Sequence, residues 1–114
     1  MYIRLNKNSI RYRVSIEEAN RLLAGEELTE SVQLSTLHSL SYAITTVDRV
    51  SEFVYDQDNN RFCLFIEADE LNREIEDRPS KQGIELSKKI LNNLLTIALE
   101  VDLKRNRKVR RSQS

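Results

Sequence analysis

Residues 10–35 lie over residues 62–87 without a gap, 52 positions further along the chain. This near-repeat constrains the fold more tightly than composition does. Ile10, Tyr12 and Val14 meet Phe62, Leu64 and Ile66, and Glu17-Glu18 meets Asp69-Glu70. Asn20-Arg21 meets Asn72-Arg73, Leu34-Ser35 meets Leu86-Ser87, and the preceding turn residues Asn8-Ser9 and Asn60-Arg61 also align. Each copy passes from apolar alternation to helical spacing and back to an extended stretch. The expected fold is therefore α+β: a duplicated ββαββ unit of about eight strands and two short helices, mostly antiparallel sheet. Barrel-like closure of that sheet is one outcome of the arrangement.

Local signals agree with this order. Ile3 and Leu5 precede the turn-like run Asn6-Lys7-Asn8-Ser9, after which Ile10, Tyr12 and Val14 alternate with Arg11 and Arg13. The period of two puts both arginines on one face of a strand. Ser15-Ile16-Glu17-Glu18 is a capping-box sequence, and Ile16, Ala19, Leu22 and Leu23 form a helical stripe ending at Gly25. Strands are expected near 28–35, 40–47, 51–56 and 62–66, and a second helix near 69–77 ending before Pro79. Alternation from Leu95 to Val101 marks a last strand, with a partner around 83–91.

Composition narrows the class. The chain has 114 residues, enough for one core without disulfides, and 39% of them are apolar. Its apolar runs, such as Phe62 to Ile66, fall far short of the ~20 residues that span a bilayer. No membrane partner is expected. A lone Cys63 excludes an internal disulfide, and the first residues carry no charged-then-apolar leader, so a cytoplasmic location is expected. The net charge of zero conceals an asymmetry: Lys104, Arg105, Arg107, Lys108, Arg110 and Arg111 crowd one short run. The remainder then holds twelve basic residues against eighteen acidic ones. Residues 1–104 read as one domain and 105–114 as a basic, disordered tail. Such a tail can neutralise nucleic-acid phosphates, although no aromatic residue is interleaved for base stacking.

The opening Ile3-Arg4-Leu5-x-x-Asn8-Ser9-Ile10-Arg11-Tyr12-Arg13 resembles a family of small uncharacterised bacterial proteins. Their first lines run Ile-Arg-x-x-x-Asn-Ser-(Ile/Leu)-Arg-x-Arg. Leu40 to Ile44, the strand from Phe62, and Leu99 to Leu103 extend the resemblance over roughly residues 2–104. The chain lacks that pattern's glycine before Asn8, its proline before the second helix and its cysteine near the end. The resemblance implies a bacterial intracellular protein and no particular chemistry.

Candidate sites are few. Arg4, Arg11 and Arg13 can line a phosphate-binding face, because a guanidinium takes phosphate oxygens two at a time. The alternative is a solvated strand face paired with carboxylates. Two β-α-β-β-β repeats, counted circularly, resemble the tunnel-barrel triphosphate-processing enzymes. That resemblance implies a lumen faced by Arg4, Arg11, Arg13, Lys88, Glu100 and Asp102, with arginines on phosphate and carboxylates on a metal. The chain lacks that family's alternating glutamate-glutamate-lysine motif. Asp56-x-Asp58-x-Asn60 superficially resembles a calcium loop, but Arg61 stands where the loop needs glycine, so a hairpin turn is expected. His38 has no second histidine or suitably spaced cysteine beside it, and Cys63 reads as a packed, inert thiol. No cofactor or metal is expected. The leading expectation is a non-enzymatic binding or accessory domain for an unknown protein or phosphate-bearing ligand.

Overall fold

A computed structural model of the chain describes residues 1–76 and 83–102. Strands β1 (Tyr2–Asn6) and β2 (Ser9–Ser15) form a hairpin, helix α1 (Ile16–Leu23) follows, and β3 (Leu28–Gln33) and β4 (Ser39–Val47) form a second hairpin. The same order then recurs as β5 (Glu52–Asp56), β6 (Arg61–Glu67), α2 (Ala68–Glu76), β7 (Ile84–Ile90) and β8 (Asn93–Asp102). The first sheet has the order β1-β2-β8-β7 and the second β3-β4-β6-β5. Exchanging the two halves turns one order into the other, so the duplication is present in the topology. Each sheet is antiparallel except for one central parallel pair, β2 with β8 and β4 with β6.

The repeat is closest from β2 into the helix and shifts afterwards. Ser9–Ser15 and Arg61–Glu67 keep the offset of 52. Leu28 pairs with Ile44 as Ile84 pairs with Leu99, which places β3 and β7 fifty-six positions apart. The gapless match of Leu34-Ser35 with Leu86-Ser87 is therefore not a structural equivalence. The chain between α2 and β7 is longer than that between α1 and β3.

Local chemistry sets the helix ends. Ser15 Oγ accepts from the Glu18 amide at 3.1 Å and Glu18 Oε1 accepts from the Ser15 amide at 2.9 Å, completing the expected capping box. Gly25, at φ 98°, lets Glu26 N–H return to Arg21 O and closes the C-terminus. The helices pack on each other at one end of the sheets. All four hairpin turns lie at the opposite end, because β2, β4, β6 and β8 all run toward the helices.

One core joins both halves. Ile10, Tyr12 and Val14 pair with Ile97, Leu99 and Val101, and they meet Ile44, Leu64 and Ile66 across the gap between sheets, with Leu22 and Leu71 from the helices. Phe62 is only half-buried, since it lies one step from the open hairpin end. The sheets do not close into a barrel. Where a ladder between the edges β5 and β7 would run, Lys88 Nζ donates to the Phe53 carbonyl at 3.1 Å, so a side chain occupies an acceptor that closure would need.

Candidate functional site

The structure brings most of the expected charged residues onto one face, but that face is open. Arg11 and Arg13 alternate with core residues on β2, and Glu100 and Asp102 do the same on β8, so all four project away from the core. Arg11 Nε donates to Glu100 Oε2 at 2.7 Å and its Nη1 lies 3.7 Å from Glu85. Arg13 reaches Asp102 at 3.4 Å and Glu100 at 4.0 Å. Arg4 lies beside Arg11 in the β1–β2 register, exposed on that face. Three arginines thus stand among three carboxylates, and the guanidinium groups of Arg11 and Arg13 are engaged. The lumen implied for these residues is not formed, and Lys88, on the opposite face of its own strand pair, does not join them. The physical reason is parity: residues that alternate with Tyr12 and Leu99 cannot share the side those two bury.

The equivalent face of the second sheet is largely uncharged. Arg11, Arg13, Arg4 and Glu100 correspond there to Cys63, Phe65, Val54 and Thr45. Arg49 covers the Phe65 ring at 5.6 Å. Cys63 is half-buried on this outer face instead of packed in the core. Burial pushes its thiol above the usual range, with Asp56 and Glu27 adding to the shift and Arg61 opposing it.

The other expected groups are dispersed. His38 lies in the β3–β4 turn with Nδ1 3.3 Å from Ser35 Oγ. Asp56 caps its own turn through Asn59, which supports the hairpin reading of 56–60. Lys104, Arg105, Arg107, Lys108, Arg110 and Arg111 lie outside the described residues.

A third region was not singled out by its chemistry. The β3–β4 and β7–β8 hairpins extend beyond the other two: the β2–β8 register begins at Ser9 with Thr96, and the β4–β6 register at Ser41 with Arg61. Their tips carry Val32, Leu34 and Leu37 on one side and Ile90, Leu91 and Leu94 on the other, all exposed. Leu5 and Tyr55, at the ends of β1 and β5, are exposed beside them. These are eight of the ten large apolar side chains exposed among the described residues, all at the end away from the helices. Tyr55 and Phe53 ring-pack on Phe62, at centroid distances of 5.7 and 6.1 Å. To one side, an open groove of about 290 Å³ runs between β5 and β7, lined by Ser51, Phe53, Leu86 and Lys88.

Leu91 is the least expected of these residues. It occupies the first position of the two-residue β7–β8 turn at φ 55°, a place that favours glycine. A leucine there costs about 1–2 kcal/mol, and its side chain is 87% exposed, so no local burial offsets the strain. Leucines flanking the Asn92-Asn93 pair were the signal available in the sequence: the strand expected around 83–91 took in Leu91, and Leu94 fell in the link before the strand expected from Leu95.

Comparison with known proteins gives a family and no activity. The family of unknown function DUF7009 matches residues 1–114, and the chain belongs to it. Neither a curated protein nor a solved structure matches the chain. No helix among the described residues is long and apolar enough to cross a membrane.

Proposed function

We propose that this chain is a non-enzymatic binding domain of the bacterial cytoplasm that engages a protein partner through its hairpin end. The observation that carries this reading is the concentration of exposed leucine, isoleucine, valine and tyrosine at that end. Contiguous apolar surface rimmed by polar groups marks interaction sites, because leaving it in water is unfavourable. The strained Leu91 adds to the argument: backbone strain that presents a side chain to solvent serves something outside the fold. The engaged arginines of the charged face favour a stabilising ion-pair lattice there over an anion site.

Photo-crosslinking amino acids placed at Leu37 and Leu91, with Arg21 on α1 as the control position, test the reading in the host cell. Discrete protein adducts from the two tip positions and none from position 21 are expected. Equal labelling at all three positions, or none at the tips, would refute it.

A further inference from the structure

We infer that the partner at the hairpin end is a second copy of this chain, with the β3–β4 hairpin of each copy lying against the β7–β8 hairpin of the other. This rests on the binding role proposed above for the same surface.

The duplication makes the end nearly two-fold symmetric, with one long apolar hairpin from each half. The two hairpins differ in charge. From Leu28 to Ala43 the only Asp, Glu, Lys or Arg is Glu30; over the equivalent stretch from Ile84 to Ala98 they are Glu85, Lys88 and Lys89, so the two hairpins carry opposite net charge. Like hairpins would set glutamate against glutamate or lysine against lysine. Unlike hairpins set the Glu30 hairpin of each copy against the lysine-bearing hairpin of its mate, and a two-fold axis forms that contact twice. Both lysines are exposed, and Lys88 is further engaged by the Phe53 carbonyl.

The surface is also large enough. Eight large apolar side chains, on average about 60% exposed, present surface of the same order as the ~800 Å² that each partner contributes to an interface of standard size. Strands β3 and β7 are both sheet edges, with side chains exposed along most of their length, so their backbone can join the pairing.

Sedimentation equilibrium or light scattering over a roughly hundredfold concentration range tests the inference, because dimers follow mass action. The expected result is a shift from the 13.3 kDa chain to twice that mass. Leu37→Asp with Leu91→Asp should leave only the single chain. Both positions are exposed and aspartate tolerates the left-handed backbone at 91, so the variant folds. Glu30→Lys alone and Lys89→Glu alone should each weaken dimerisation by about tenfold or more, and the double reversal should restore it. A chain that stays monomeric throughout, or a dimer indifferent to these changes, overturns the inference. Monomeric protein whose tips still crosslink to a different protein overturns self-pairing and leaves the binding role intact. Monomeric protein with unlabelled tips overturns both.

Discussion

The hydroxyl of Tyr12 donates to the backbone carbonyl of Phe62 across 3.2 Å, linking the first sheet to the second fifty residues later. Both residues lie on duplicated strands, yet their equivalents cannot repeat the contact: Tyr12 corresponds to Leu64, which has no hydroxyl. Tyr12 is fully buried and packs edge-on against Tyr42 at 6.4 Å. Burial, with smaller effects from Cys63 and Tyr42, pushes its phenol far above the usual range, so it remains a donor at every working pH. This hydrogen bond therefore has no counterpart in the other half and ties one sheet to the other.

Tyr12→Phe should lower stability by about 1–2 kcal/mol, the cost of leaving a buried carbonyl without its donor. Urea unfolding followed by circular dichroism measures this. An unchanged midpoint would mean that the hydroxyl does not couple the sheets.

Glu18 makes folding sensitive to acid. Its burial favours the neutral form, but hydrogen bonds from the Met1 ammonium at 2.5 Å and from Ser15 outweigh it, and the carboxyl titrates below its ordinary value. The stabilisation is complete above the unfolded pKa of about 4.3 and is lost as pH falls through the lower native value. Glu18→Gln should cost about 0.5–1 kcal/mol at neutral pH through the helix start. The gap from the parent protein should close on acidification. A gap that is constant, or that widens toward low pH, would contradict the assignment.

Two glycines give a paired test of backbone against packing. Gly25 has open space where a Cβ would stand, so Gly25→Ala should cost only the left-handed backbone penalty, about 1–2 kcal/mol. At Gly83, φ 72°, an added Cβ would lie 2.3 Å from the Leu99 carbonyl oxygen of the neighbouring strand. Gly83→Ala must therefore also displace β7 from β8 and should destabilise clearly more. Comparable melting temperatures for the two variants would refute the contact.

Cys63 should react slowly with a neutral thiol reagent. It is half-buried and its thiolate is disfavoured, first by burial. Its labelling rate in the native protein should fall below that of the urea-unfolded chain and rise with pH. A native rate equal to the unfolded one would show that the face around Val54 and Phe65 gives no protection.

Much of the architecture was legible along the chain, because each element carries its own local instruction. Alternation at Ile10-Tyr12-Val14 and Leu95 to Val101, the Ser15–Glu18 cap and the turn at 56–60 depend on neighbours within a few residues. The duplicated order followed from the same signals read twice. Parity also placed Arg11 and Arg13 together on one face, opposite Tyr12. What the sequence could not decide was which side of each sheet meets the other sheet, and whether the edges pair. Those outcomes depend on contacts between residues far apart: Tyr12 with Phe62, Lys88 with Phe53, Arg11 with Glu100. Alternation reports that two faces differ, but burial of one of them is a property of the assembled sheets. For the same reason Leu91 read as an ordinary strand leucine, and Leu37 as part of the link between two strands, until the fold left both in water at the end away from the helices.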